Sequence, residues 1–196
     1  MESSANPLGT DSEQPAPSKS SWKRGLLDLF ETVALAVILF LVINAVSARV
    51  RVDGLSMLPT LNDGEFVLVN RLAYRLGAPT PGDIIVFRSI SQSDLDLIKR
   101  IVGIPGDTIV VGDGKVVVNG ATLNEAYINA APRYSGSWSV PDGYLFVLGD
   151  NRNDSSDSHA WGLLPMQNVI GKAILIYWPP REWAMLDHVR IAAAAP

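Results

Sequence analysis

Apolar positions divide this chain into two regimes. From Leu26 to Ala48 the segment LLDLFETVALAVILFLVINAVSA is apolar on nearly every side, with Asp28 and Glu31 confined to its first two turns and no charge from Thr32 to Val46. At ~1.5 Å per residue it reaches roughly 34 Å, comparable with a ~30 Å hydrocarbon core, so residues 26–48 are expected to form a transmembrane anchor. A buried core helix and a cleaved signal peptide ending at Val46-Ser47-Ala48 satisfy the same hydropathy. A helix apolar all round needs either a membrane or a large protein about it, and the chain beyond Ala48 reads as a self-sufficient domain. Lys19, Lys23 and Arg24 precede the segment while Arg49 and Arg51 follow it, which tilts the charge rule only slightly toward a cytoplasmic N-terminus.

Beyond Ala48 the period changes to two. RVRVD from Arg49, EFVLVN from Glu65, DIIVFR from Asp83, LIKRIVG from Leu97, DTIVV from Asp107, KVVVN from Lys115, YLFVLGD from Tyr144 and VIGKAILIYW from Val169 read as strands. The Gly112-Asp113-Gly114 run predicts a hairpin, and Asn119-Gly120 a second turn. One short helix is expected within residues 70–76. Residues 49–196 are thus expected to form a mainly β domain.

Composition changes the picture at the ends and in what it excludes. Residues 1–22 are Ser-, Pro- and Ala-rich, and with Lys23 to Gly25 they make an expected disordered tail, 1–25. The 196 residues hold no cysteine, which removes thiolate nucleophiles, disulfides and zinc-thiolate sites, and only two histidines, too few for a multi-imidazole metal centre. Phosphate-binding and H-E-x-x-H motifs are missing as well, so neither metal nor cofactor is expected. A net charge of −4 without a dense basic stripe argues against nucleic acid as a partner.

Three segments carry candidate chemistry. In GLSMLPTL, Ser56 sits between Gly54, which frees the backbone, and Pro59, which restricts it; such a serine is either a nucleophile held at a strand-to-turn junction or a plain turn residue. In LDLIKRI, alternation puts Lys99 on one face with Leu95, Leu97 and Ile101. An ammonium among aliphatic groups loses its proton more readily and can serve as a general base; alternatively its stem packs there while the head reaches water. Finally, GDNRNDSSDSHAWG from Gly149 crowds Asp, Asn, Arg, Ser and His into one loop, either solvated or orienting a base.

Together, SMLPTL, NDGEFVLVN with PGDIIVF, KRIVGIPGD and GDNRNDSSDS resemble the motif series of type I signal peptidases, the membrane-anchored serine proteases that remove signal peptides from exported preproteins. The resemblance runs in order over roughly residues 26–178. It implies an antiparallel β catalytic domain forming a partly closed barrel, with one N-terminal transmembrane helix and the domain on the exported side of the membrane. Ser56 becomes the nucleophile, Lys99 the general base, and Ser155 a hydrogen-bond partner that orients the lysine. Asp157 supports the loop by pairing with Arg100, and Val52, Met57 and Ile98 bind small side chains at −1 and −3 of the cleavage site. The implied partners are signal peptides and membrane lipid. Two positions depart from the common pattern: Gly54 stands where some members carry a hydroxyl, leaving the Ser56 N–H as main oxyanion donor, and His159 replaces a frequent Arg, which is expected to weaken any ion pair with Asp157. Two alternatives remain open: a self-cleaving repressor-type Ser-Lys protease, which has no use for a span, and a membrane-tethered β domain that only binds.

Overall fold

The computed structural model describes residues 19–90 and 95–186, so residues 1–18 of the expected tail 1–25 lie outside the described residues. The chain divides into two compact units, residues 1–42 and 43–196. Helix α1 spans Lys19–Val46, and its Trp22–Val46 stretch is long and apolar enough to cross a membrane, with none of it buried in protein. It differs from the expected anchor at both ends. Residues 19–25 are already helical, while Ser47 and Ala48 leave the helix because their backbone pairs with a strand.

That strand pairing opens the second unit. β1 (Ser47–Arg51) is followed by β2 (Phe66–Asn70), the one-turn helix α2 (Ala73–Leu76), β3 (Ile84–Arg88) and β4 (Asp96–Gly103). Next come β5 (Thr108–Gly112), β6 (Lys115–Val118), β7 (Ala121–Thr122), β8 (Gly136–Ser139) and β9 (Tyr144–Leu148). Helix α3 (Ser158–Trp161), β10 (Leu164–Pro165), β11 (Val169–Trp178) and β12 (Ala184–Met185) complete the described chain. The larger sheet has the order β1-β2-β11-β3-β4-β9-β10 with β12 added beside β11, and the smaller has the order β7-β6-β5-β8. Every pairing is antiparallel, and the larger sheet curls into a half-barrel. Register shifts along β11 and between Ile101 and Gly103 supply the extra twist that bends it.

The alternation read from the sequence becomes two cores on opposite faces. On β3, Ile84 and Val86 enter one apolar cluster with Val67, Val69 and Ala173, whereas Ile85 and Phe87 enter another with Ile101, Leu145 and Val147. That explains why β3 is a continuous apolar run, being buried on both sides. A third cluster, including Val102, Ile109, Val116, Phe146 and Leu148, joins the small sheet to β4 and β9. Both expected turns form. Gly112 pairs with Lys115 across Asp113 and Gly114, which have φ of 50° and 73°, and Val118 pairs with Ala121 across Asn119 and Gly120, at 51° and 84°. Positive φ at both central residues matches the twist of the flanking strands.

Candidate active site

The geometry around Ser56 begins with a backbone device. Gly54 has φ +95° and donates its N–H to Asp63 Oδ1 at 2.7 Å, turning the chain away from β1 just before the serine. A side chain at that φ is strained, so position 54 supplies no hydroxyl in this backbone. Across the sheet, β4 carries Lys99, whose Nζ donates to Ser56 Oγ at 2.7 Å and to Ile98 O at 3.0 Å. The expected alternation holds within the strand: Leu97 and Ile101 pack into one core, and Lys99 is only 3% exposed, while Leu95 lies before the strand and is open to solvent. Burial pushes the Lys99 ammonium down to about 8, against an upward pull from the Asp157 and Asp150 carboxylates. Desolvation therefore wins over two nearby negative charges, and a large fraction of the lysine is neutral at mildly alkaline pH.

The segment after β9 closes over this pair. Asn151 donates its backbone N–H to Ser56 O at 3.0 Å and its Nδ2 to Leu55 O at 3.1 Å. Gly149 donates its N–H to Asp157 Oδ2 at 2.9 Å, and its carbonyl accepts from Arg152 Nε at 3.0 Å. No larger residue fits at 149: an added Cβ would stand 2.2 Å from Ser155 Oγ and 2.4 Å from Ser56 O. Arg152 itself is buried, paired with Glu125 at 2.6 Å, and lies with Arg100 near the ring of Tyr127.

Two expectations need correction. Arg100 does not pair with Asp157; its Nε and Nη2 bind Asp150 Oδ1 and Oδ2 at 2.8 and 2.7 Å, its Nη1 donates to Gly82 O, and Tyr127 lies 4.2 Å beneath the guanidinium. The reason is positional, since Arg100 is in register with Leu148, two residues from Asp150, whereas Asp157 is occupied as the cap of α3. Asp157 accepts from the Gly149 and His159 N–H groups, and His159 Nδ1 lies 2.7 Å from its Oδ1 while the imidazole stacks on Tyr134 at 3.9 Å. The contact between positions 157 and 159 thus survives as a hydrogen bond. Nor does Ser155 bond to Lys99: its Oγ is buried against Gly149 without a hydrogen-bond partner, and the lysine spends its protons on Ser56 and Ile98.

Val52, Met57 and Ile98 are all buried in one apolar cluster with Leu61 and Val86. Sequence reasoning missed Asp150, Thr60, which donates to Asp150, and the Glu125–Arg152–Tyr127 group. Asp150 and Arg152 stood inside the polar loop, but three acids there, Asp150, Asp154 and Asp157, competed for one arginine, and only strand register decides between them. Among the described residues no group of three or more His, Asp or Glu is placed to hold a metal ion.

The chain is similar to known proteins of one family. The family model for signal peptidase, peptidase S26, matches residues 26–178. The chain is 41% identical over 179 residues to a signal peptidase I of Leptolyngbya laminosa, covering 87% of this chain and 88% of that one. It is 38% identical over 190 residues to a probable signal peptidase I-1 of Synechocystis sp., covering 92% and 96%. A solved signal peptidase I from Enterococcus faecalis V583 matches at 31% identity with a TM-score of 0.45, covering 49% of this chain and 97% of that one.

Proposed function

We propose, from the premise that this chain belongs to the signal peptidase family of peptidase S26, that Ser56 and Lys99 form the dyad with which it works. The protein is a serine endopeptidase, a hydrolase that removes signal peptides from preproteins. One observation carries the dyad reading: a buried lysine, with its pKa lowered to about 8, lies 2.7 Å from the Ser56 hydroxyl.

The chemistry follows from that contact. Neutral Lys99 Nζ takes the Ser56 hydroxyl proton as Oγ attacks the carbonyl carbon of the −1 residue. The oxyanion is held by the Ser56 N–H, which donates to no acceptor among the described residues. As the C–N bond breaks, the Lys99 ammonium returns the proton to the leaving amine, and an ester on Ser56 remains. Lys99 then takes a proton from water, the hydroxide attacks the ester, and Ser56 leaves with its proton restored. Val52, Met57 and Ile98, buried together in one apolar cluster, back the shallow apolar surface that accepts small residues at −1 and −3, with the substrate laid as an extended strand.

The chain is anchored in a lipid bilayer by an apolar segment over residues 26–48, with the N-terminus cytoplasmic and the catalytic domain, residues 49–196, on the exported side. Support for the anchor comes from the length and unburied surface of α1, and the orientation follows the slight excess of positive charge before the helix. Incubating the purified full chain with a preprotein and reading the product masses tests the activity. Wild type should release the peptide after a small −1 residue and Ser56→Ala should release none; equal cleavage by both sinks the dyad. Protease protection in sealed vesicles tests the orientation.

A further inference from the structure

We infer that Asn151 is a positioning residue for the oxyanion, acting through the Leu55–Ser56 peptide; the inference rests on the dyad reading above. The C=O of Leu55 and the N–H of Ser56 belong to one planar unit, so whatever fixes that carbonyl also fixes the direction of the N–H. Asn151 grips this unit and the next one: Nδ2 donates to Leu55 O at 3.1 Å, and the backbone N–H donates to Ser56 O at 3.0 Å. Leu55 O also accepts the Leu58 N–H at 3.2 Å, closing the turn that carries the serine.

Two consequences follow from this arrangement. Donors on a carbonyl draw charge toward oxygen and make the N–H of the same peptide a better donor, a cooperative effect along the chain of bonds. Geometry adds to this, because an oxyanion donor works only if it already points to where the charge develops. The effect matters more here than it would beside a second donor, since Gly54 contributes no hydroxyl. Gly149, kept small by the 2.4 Å approach of an added Cβ to Ser56 O, lets residue 151 come close enough to reach both carbonyls. Asn151 is bonded to neither Lys99 nor the Ser56 hydroxyl, so it has no part in the proton transfer.

The test uses the full chain with Asn151→Ala and Asn151→Asp, both of which keep the backbone N–H. The aspartate keeps the shape but replaces the Nδ2 donor with an acceptor, and it decides the matter should the alanine variant fold poorly by its melting curve. Turnover of a signal-peptide substrate should fall about 10- to 100-fold in kcat with little change in KM. A peptide aldehyde, which forms a tetrahedral adduct with Ser56, should weaken by a similar factor, while the cleaved peptide product binds as before and the alkaline midpoint of kcat stays in place. Unchanged kcat in a folded variant overturns the inference, as does a loss shared equally by KM and product binding. A shifted pH midpoint overturns it too, because Asn151 would then act through Lys99. If Ser56→Ala protein still turns over, the dyad reading itself is wrong and this inference falls with it; if only the Asn151 variants behave like wild type, the dyad stands without it.

Discussion

Replacing Lys99 with methionine should abolish turnover and yet stabilise the fold near neutral pH relative to its effect at high pH. Lys99 is buried and its pKa lies at about 8, against 10.5 for a free lysine. Between these values the unfolded chain holds a proton that the folded chain has released, so wild-type stability rises as pH climbs from about 8 to 10.5 and is lowest below 8. The gap between about 8 and 10.5 corresponds to about 3 kcal/mol. Methionine, similar in length and uncharged, carries no such penalty. It also forfeits the bonds to Ser56 Oγ and Ile98 O, a loss of roughly 1 kcal/mol each that is much the same at every pH. The informative quantity is therefore the change with pH of the stability difference between Lys99→Met and wild type. Denaturant unfolding of both proteins in one detergent should show the variant losing about 3 kcal/mol of its relative standing between pH 7 and 10.5. Other titrating groups are common to both chains and cancel. Wild-type kcat must report the same proton, rising to half its plateau near pH 8, with about one enzyme in eleven competent at pH 7. A stability difference that is flat with pH, or that grows in favour of methionine on the alkaline side, refutes the argument that desolvation of Lys99 creates the base.

Ser56→Ala and Lys99→Ala should each reduce cleavage to background, and the double variant should be no slower than either, because both remove one shared step; additive losses in single-turnover assays would separate the two residues. Gly149→Ala should cost about tenfold or more in kcat, since its Cβ lands 2.4 Å from Ser56 O and the backbone must give way; wild-type rates would show that the approach is soft. Asp150→Ala leaves the Arg100 guanidinium, 1% exposed, without its carboxylate, and should destabilise by about 3–5 kcal/mol in denaturant unfolding. The double change Arg100→Met with Asp150→Leu should recover most of that loss, and a double variant as unstable as Asp150→Ala would assign the cost to packing instead.

The strands were legible because burial follows their period. Val67 and Val69 alternate with half-exposed Phe66, Leu68 and Asn70 on β2, and β3 betrayed its double burial by four apolar residues in succession. Turns spelled Asp-Gly and Asn-Gly are nearly deterministic, whereas β7, β10 and β12, with two residues each, exist only because a neighbouring strand offers partners. At the site, the residues whose type is chemically unusual for its position, Ser56 between Gly54 and Pro59 and Lys99 among aliphatics, could be picked out locally. The partners of Arg100 and Asp157, and the unbonded state of the Ser155 hydroxyl, could not. They depend on register and on which hydroxyl faces which wall, and these are set by β4 pairing with β9.

The junction between helix and sheet bears on how such an enzyme survives its own chemistry. Val46-Ser47-Ala48 has small residues spaced like the end of a signal peptide, directly after an apolar helix. Yet Ala48 and Arg49 are held in register with Val69 and Leu68, Ala48 packs against the core, and Val46 O is tied to the Arg71 N–H at 3.0 Å. To offer the Ala48–Arg49 bond to another copy, the chain would have to peel β1 from β2. Val52, proposed above to back the substrate surface, lies four residues further on. A well-folded copy is thus a poor substrate, and a copy loosened at this edge becomes both a weaker protease and a better target. What stands between that bond and a neighbouring copy is one short ladder.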